Sequence, residues 1–249
     1  MTGASGMLGA EIALALASCG SDIVAAGRNL EKLHSTSDKI RNLGRKVHEV
    51  KVDVTSEQDV SNLASEALRE FGWIDILVAC AGANILKPAG DYPAADFDRL
   101  MKINALGTFL TNREVGKKMI EQKHGKIINV SSVRGAYATS ANAVGYSASK
   151  AAVNMITKQL ACEWARHNVT VNAIAPAMVA SGMHTASPDG ELLQLDPRVL
   201  EGIAKRTPMK RLARPSDVVG PVIFLASEAS DFITGQIIYI DGGATAWAA

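Results

Sequence analysis

The chain has 249 residues, a formal net charge of +1 and 47% hydrophobic residues. These values are typical of a globular protein with a sizeable core, and such a balanced charge excludes a strongly basic nucleic-acid-binding or membrane-binding surface. No apolar stretch reaches transmembrane length and no leader precedes the first motif, so we expect a cytoplasmic protein without membrane contact. Cys19, Cys80 and Cys162 lack paired or metal-ligand spacing, which predicts reduced thiols and no metal site.

The chain opens on a glycine-rich turn, residues 2–9, that runs directly into a helical pattern over residues 7–18. Free amide groups at the start of a helix, approached through glycines, are typical of a phosphate-binding site. A buried strand normally precedes such a turn, and here the sequence starts inside the motif. We therefore expect the first strand to be truncated or replaced by another segment.

A short buried strand over residues 22–26 is followed by Gly27, Arg28 and Asn29, and Asn29 can cap a helix over residues 30–43. In a dinucleotide-binding fold, an acid after this strand binds the ribose of NAD, whereas an arginine accommodates the 2′-phosphate of NADP. Arg28 therefore favours NADP, with NAD possible. The alternative is that Arg28 is an ordinary solvated turn residue.

The rest of the sequence alternates between strand and helix patterns. Strands are predicted over residues 46–52, 74–79, 126–130, 169–175 and 236–240, and helices over residues 56–71, 97–119, 146–167 and 215–226. This alternation predicts an α/β fold with one domain over residues 1–249, a Rossmann-like, doubly wound parallel sheet with helices on both faces. Residues 177–207 interrupt it and carry one short helical pattern over residues 197–205, which is typical of a substrate loop or lid.

Tyr146 and Lys150 stand four residues apart at the head of a helix, so both side chains can point into one pocket. A free phenol has a pKa of about 10, and a neighbouring ammonium favours the phenolate, which makes the pair a tunable acid/base unit. Ser132 ends the preceding strand and can bring a hydroxyl to the same place. Asn104 lies inside an apolar helix, where an unpaired amide is costly, so it is either a satisfied core residue or a functional one. Taken alone, Tyr146 and Lys150 would more often be surface residues.

Several motifs in this order resemble those of the short-chain dehydrogenase/reductases, in their shorter form, over essentially the whole chain. They are residues 2–9, residues 52–54, Ala81 with Gly82, Asn104, Ser132, the Tyr146/Lys150 pair and residues 241–243. The resemblance implies an oxidoreductase that interconverts a secondary alcohol and a ketone, with a nicotinamide cofactor and a small-molecule substrate. It also implies a homotetramer.

The resemblance implies a role for each motif residue. Tyr146 would be the acid in carbonyl reduction and the base in alcohol oxidation, and Lys150 would lower its pKa and bind the nicotinamide ribose. Ser132 would hold the substrate oxygen, Asn104 would position a water linked to Lys150, and Asp53 would contact adenine. The implied cofactor-binding residues are Gly3, Ser5, Gly6, Met7, Leu8, Gly9, Arg28, Asn29, Asp53, Val54, Ala81, Gly82, Tyr146, Lys150, Pro176, Ala177, Val179 and Ser181.

Some positions depart from the family pattern. Met7 stands where the family has glycine, so we expect it to crowd the pyrophosphate unless the turn adjusts through Gly6. Ala79 and Cys80 replace two asparagines, Ala177 replaces a glycine and Ser181 a threonine. Together with the missing strand, these changes bear on cofactor affinity more than on the catalytic residues.

Within the family, residues 27–32, 81–84, 87–89 and 211–243 are most similar to the gluconate 5-dehydrogenases and related sugar-acid or polyol dehydrogenases. Arg134 and His184 flank the expected pocket, where they would meet a substrate carboxylate or remain solvated. One alternative is a 3-oxoacyl-acyl-carrier-protein reductase, which would use Lys123, Lys126, Arg166 and His167 as a basic docking surface. Another, of a different class, is a truncated, catalytically weak nucleotide-binding or assembly subunit.

Overall fold

The computed structural model describes residues 1–140, 142–180, 184–186, 192–194 and 196–246. The helices are α1 (Met7–Ser18), α2 (Leu30–Asn42), α3 (Glu57–Phe71), α4 (Ala94–Leu100), α5 (Gly107–Gln122), α6 (Val144–Trp164), α7 (Pro197–Arg206) and α8 (Pro215–Ala226). The strands are β1 (Ile23–Gly27), β2 (Val47–Lys51), β3 (Ile76–Ala79), β4 (Gly125–Val130), β5 (Val169–Pro176), β6 (His184–Ala186), β7 (Leu192–Gln194) and β8 (Ile237–Ile240).

The main strands are parallel and form two groups, β2 with β1 and the series β3, β4, β5 and β8. Thr2 joins the groups, because it forms parallel bridges with Ala26 on one side and Ala79 on the other. Its amide donates to the Val78 carbonyl at 3.1 Å, and the Ala26 amide donates to the Met1 carbonyl at 2.9 Å. The position of the expected first strand is therefore held by Met1 and Thr2, at the end of the sheet that delivers the glycine-rich turn.

Helices cover both faces of the sheet, as the sequence predicts. On one face, α1, α2 and α8 share a buried core that includes Ile12, Leu33 and Val222. On the other, α3, α5 and α6 pack over clusters that include Val115 and Leu160. Among the described residues, no helix combines the length and the apolar character that a bilayer span requires.

Two predicted segments differ from the structure. The single helix expected over residues 97–119 is α4 and α5 joined by a π-helical turn, Met101–Leu106, which contains Asn104. Such turns are frequent at functional sites because they re-aim one side chain without ending the helix. The predicted loop over residues 177–207 contains the short helix expected over residues 197–205, which is α7, and also an unpredicted antiparallel pair, β6 with β7. Several of its residues, Ser181 among them, lie outside the described part.

Candidate active site

The glycine-rich turn is packed too closely for side chains at two positions. Gly3 has φ 70°, and a Cβ there would lie 2.8 Å from the Ala81 amide nitrogen. A Cβ on Gly9 would lie 2.1 Å from the Gly3 carbonyl oxygen. At the start of α1, Gly6 provides no side-chain cap and the first turn contains no acid. The first amides of this helix can therefore receive an anion such as a pyrophosphate.

Met7 does not crowd this turn. Its side chain is 48% exposed at the first position of α1, so it is not packed into the turn, and its conflict with a pyrophosphate stays a prediction. Leu8 instead packs against the core on the α1 face. The turn keeps its shape because Gly6 itself takes an extended conformation and its amide donates to the Gly3 carbonyl at 3.0 Å.

A cavity of about 300 Å³ opens where β1 and β2 end, and we call it the β1–β2 pocket. It is lined by Arg28, Lys51, Val52, Asp53, Asp59 and Asn62. Arg28 and Asp53 were both predicted to meet the adenosine half of a cofactor, and the structure brings them to one pocket. Asn29 does not line it, because its side chain caps α2 by accepting from the Lys32 amide at 2.9 Å. Val54 is buried against Gly107, so only its backbone remains available.

Tyr146, Ser132 and Lys150 meet at the carboxyl ends of β4 and β5. Ser132 follows β4 and is hydrogen-bonded to Tyr146. Its hydroxyl also lies 3.4 Å from the Pro176 carbonyl at the end of β5. Lys150 donates to the Val130 carbonyl at 2.8 Å, and its Nζ lies 5.7 Å from the centre of the Tyr146 ring. With Asn104, these three residues form what we call the catalytic cluster.

Burial governs the protonation of this cluster. The pKa of Tyr146 is raised from its ordinary value chiefly because burial disfavours the phenolate, while the Ser132 hydrogen bond and the Arg134 charge act in the opposite direction. Burial also lowers the pKa of Lys150 to about 8. The expectation that Lys150 depresses the Tyr146 pKa is therefore not met in this arrangement, in which Arg134 is the neighbouring cation that favours the phenolate.

Asn104 is fully buried and its side-chain amide is engaged. Its Oδ1 accepts from the Ala83 amide at 2.8 Å, and its Nδ2 donates to the Ala83 carbonyl and to the Ser149 hydroxyl, both at 2.9 Å. Gly82 separates Asn104 from Lys150, because a Cβ on Gly82 would lie 3.2 Å from Asn104 Oδ1 and 3.5 Å from Lys150 Nζ. The glycine at this position therefore lets the amide and the ammonium approach each other.

The remaining predicted cofactor contacts are half-buried at Ser5, Ala81 and Ala177 and buried at Val179. Ala81 packs over Gly3, and Ala177 donates its amide to the Ile240 carbonyl at 3.0 Å. The Val179 side chain is 3% exposed and belongs to the core, so it could meet a ligand only through its backbone. Ser5 lies beside Gly27, at the junction between the glycine-rich turn and the β1–β2 pocket.

Sequence reasoning missed two residues at the site, Ser149 and Lys51, and the environment of a third, Cys80. Ser149 links Asn104 to α6, because its hydroxyl accepts from Asn104 and donates to the Tyr146 carbonyl at 2.7 Å. Lys51 lines the β1–β2 pocket. Burial raises the pKa of the Cys80 thiol to about 11, so it stays protonated beside Lys150 at neutral pH. The helical spacing after Tyr146 was the available signal for Ser149, whereas the place of Lys51 depends on the pairing of β1 with β2.

Comparison with known proteins identifies the family. A family model described as enoyl-(acyl carrier protein) reductase matches residues 3–245. Gluconate 5-dehydrogenase of Gluconobacter oxydans is 35% identical over 245 residues, which cover 98% of this chain and 93% of that protein. The chain is a member of the short-chain dehydrogenase/reductase family.

Two further members of this family are similar to the chain. A 3-oxoacyl-[acyl-carrier-protein] reductase of Aquifex aeolicus is 34% identical, and the match covers 98% of this chain and 95% of that protein. A crystal structure of a gluconate 5-dehydrogenase from Burkholderia cenocepacia in complex with NADP and tartrate has a TM-score of 0.90 and 34% identity, and the match covers 99% of this chain and 94% of that one.

This short-chain dehydrogenase/reductase is accordingly an NAD(P)-dependent oxidoreductase that interconverts a secondary alcohol and a ketone. Three features along the edge of the sheet fit a bound dinucleotide: the glycine-rich turn, the start of α1 that can receive an anion, and the β1–β2 pocket. When bound, the nicotinamide supplies or accepts the hydride. The chain's own residues then have to hold the substrate oxygen and move one proton.

Proposed function

We propose that this enzyme interconverts a hydroxyl and a keto group on a sugar acid, or on a related polyol, with preference for NADP(H). The observation that carries the proposal is the environment of Arg134. This arginine is near enough to Tyr146 for its charge to favour the phenolate and so lower the Tyr146 pKa, and it has no acidic partner among the residues that the structure describes. A guanidinium in that position is suited to a substrate carboxylate.

The contacts of Arg134 leave most of its donors available. Its backbone amide donates to the Ser132 hydroxyl at 3.2 Å, and its guanidinium hydrogen-bonds to Thr139. Burial lowers the pKa of the Arg134 guanidinium from its ordinary value, because the charge has lost water without gaining an anion. Binding a carboxylate would replace that lost solvation. It would also fix the distance between the substrate's charged end and the phenol.

The proton chemistry would be carried by the catalytic cluster. The raised pKa of Tyr146 keeps the phenol protonated at neutral pH, which suits donation to a ketone oxygen during reduction. Ser132 would donate a hydrogen bond to the same oxygen as negative charge develops on it. Lys150, with a pKa of about 8, can exchange a proton near neutral pH. Asn104 Oδ1 accepts one hydrogen bond, from the Ala83 amide, and its second lone pair would position a water that refills Lys150. Alcohol oxidation would run the same steps in reverse and accelerate as the pH rises.

Two features support the substrate and cofactor preferences. A similar protein, from Burkholderia cenocepacia, is a gluconate 5-dehydrogenase in complex with NADP and tartrate, which is a hydroxy acid. Arg28 is exposed in the β1–β2 pocket, and the strand end before it carries Gly27 in place of an acid. An arginine without a neighbouring acid at this point favours a 2′-phosphate.

The alternative, a 3-oxoacyl-acyl-carrier-protein reductase, is supported by the Aquifex aeolicus relative. Its expected basic surface is weaker in the structure than in the sequence. Lys126 has only 7% of its side chain exposed and is paired with Asp231 at 2.6 Å, so it does not offer its charge to an acidic carrier protein. Lys123, Arg166 and His167 would have to provide that surface without it.

Steady-state kinetics with 5-ketogluconate, a ketose that lacks a carboxylate, and acetoacetyl thioester, each with NADPH and NADH, would test the proposal. We expect the highest kcat/KM for 5-ketogluconate with NADPH. Arg134→Met should raise the KM for 5-ketogluconate by about tenfold, the value of one charge-assisted interaction, and leave the uncharged ketose within about twofold. Arg134→Lys, which keeps the charge, should recover part of the loss.

Other outcomes would decide against it. A preference for the thioester would support the carrier-protein alternative, and no turnover together with no NADPH binding would support the weak nucleotide-binding or assembly subunit. Equal losses on charged and uncharged substrates in Arg134→Met would show that Arg134 acts on the protein and not on a carboxylate.

A homotetramer remains part of the proposal. Several large apolar side chains on α5, α6, α8 and the following loop are exposed, namely Phe109, Met155, Phe224 and Phe232. Phe232 is fully exposed, which is unfavourable for a phenyl ring in water. Sedimentation analysis would measure the assembly directly, and Phe232→Ser should weaken it if this face is shared between copies. The cytoplasmic location also stays a prediction.

A further inference from the structure

We infer that Lys51 is a second specificity-determining cation of the β1–β2 pocket and acts with Arg28 to bind a 2′-phosphate. The inference rests on the proposed NADP preference and adds a residue to it. No family motif marks Lys51, which is the last residue of β2 and directly precedes the family's Val52–Asp53 pair. It is the parallel pairing of β1 and β2 that places it.

The register of the sheet sets Lys51 beside the strand end that faces the cofactor. Gly27 and Lys51 are paired residues in β1 and β2, and Arg28 follows Gly27. Because neighbouring strands lie about 4.8 Å apart, the two cations start from adjacent backbone positions. Both side chains are exposed and both line the same cavity of about 300 Å³.

Neither cation has an ion pair with a described carboxylate, in contrast to Arg41, Arg45, Arg113 and Arg211. The two acids of the pocket are held by local donors. Asp53 Oδ1 accepts from the Thr55 amide and hydroxyl at 2.9 and 2.8 Å. Asp59 accepts from the Asp53 amide and the Ser56 hydroxyl, both at 2.9 Å, and the Lys51 charge helps to lower the Asp59 pKa without forming a contact pair.

The pocket lacks the acid that an NAD-binding site would need, because Gly27 ends β1. A Cβ on Gly27 would lie 2.8 Å from the Ser5 hydroxyl oxygen, so a side chain there requires Ser5 to change its rotamer. A ribose 2′-phosphate carries about −1.5 to −2 charges at neutral pH. One arginine leaves part of that charge unmatched, and a lysine from the neighbouring strand supplies the second positive charge.

Titration calorimetry with two adenosine fragments tests the inference without turnover. Adenosine 2′,5′-bisphosphate and adenosine 5′-monophosphate differ only in the 2′-phosphate. We expect Lys51→Gln to weaken binding of the bisphosphate by about five- to tenfold, as for one partly exposed charge pair, and to leave the monophosphate within about twofold. Lys46→Gln is the matched control, because Lys46 precedes the opposite end of β2, and it should change neither affinity.

The same titrations on Arg28→Gln and on the double variant complete the test. If both cations bind one phosphate, the double variant should lose the preference for the bisphosphate altogether. Equal losses for both fragments in Lys51→Gln, or no loss for either, would overturn the inference. Substrate specificity plays no part in these measurements, so a wrong assignment of the sugar acid would leave this result standing. An enzyme that binds neither fragment would contradict both proposals.

Discussion

The two ends of the candidate site each contain a pair of cations, in opposite environments. At the catalytic end, Lys150 is 5% exposed and its pKa is lowered to about 8, and Arg134 is partly buried. At the other end, Arg28 and Lys51 are exposed in the β1–β2 pocket. Because the first pair is buried, its interactions change strongly with protonation or with the loss of a single contact. Water and salt screen the charges of the second pair, so its interactions are weaker. The catalytic end should therefore set the rate, and the other end should set the choice of cofactor.

The largest expected effect is from Tyr146→Phe, which removes the proton donor and keeps the ring. We expect kcat to fall by about 10³-fold, within the usual range for a general acid or base and equal to about 4 kcal/mol of barrier. Binding of adenosine 2′,5′-bisphosphate should not change, because Tyr146 is not part of the β1–β2 pocket. Equal turnover in the variant and the parent enzyme would remove Tyr146 from the mechanism.

Lys150→Met tests the claim that burial controls the catalytic end. The folded-state pKa of Lys150 lies near 8, below the ordinary value of 10.5. Folding therefore disfavours the ammonium fully below pH 8, and this penalty fades as the pH rises toward 10.5. Between about pH 7 and 9.5, the free energy of unfolding of the parent should therefore rise by about 2 kcal/mol relative to that of the variant. Denaturant unfolding at both pH values measures this, and a pH-independent difference would mean that Lys150 is better solvated than its contacts indicate.

Gly27→Asp probes the cofactor end. The added carboxylate would stand between Arg28 and Lys51 and repel a 2′-phosphate, so kcat/KM with NADPH should fall by about tenfold relative to NADH. Gly27→Ala is the control, since it adds the steric conflict with Ser5 without the charge. We expect the alanine variant to lower kcat/KM with NADPH and with NADH by the same factor. If the two variants behave alike, the close packing at Ser5 and not the charge would govern the choice of cofactor.

The sequence predicted most of the fold because its apolar runs and glycines are local signals. The helix from residue 215 to 226 and the Asn29 cap were confirmed, and so was the α/β architecture. Features that depend on partners distant in sequence were not predicted. The bridges of Thr2, the π-turn around Asn104 and the place of Lys51 beside Gly27 arise from sheet register and helix packing. The raised pKa of Tyr146 was missed for the same reason, because a spacing of four residues places Lys150 nearby without revealing how much water the fold removes.

Salt provides the smallest and most general contrast between the two ends. Exposed charge pairs are screened over a Debye length of about 10 Å at 0.1 M ionic strength, whereas buried pairs are screened much less. Binding of adenosine 2′,5′-bisphosphate should therefore weaken by about threefold between about 0.05 and 0.5 M salt, in proportion to the exposure of Arg28 and Lys51. The KM for a carboxylate substrate at Arg134 should change less, since that guanidinium is already partly desolvated. The adenosine 5′-monophosphate titration supplies the baseline. If the KM for the carboxylate substrate depended more steeply on salt than binding of the bisphosphate does, the charge at Arg134 would be the more exposed one, and the contrast between the two ends would be wrong.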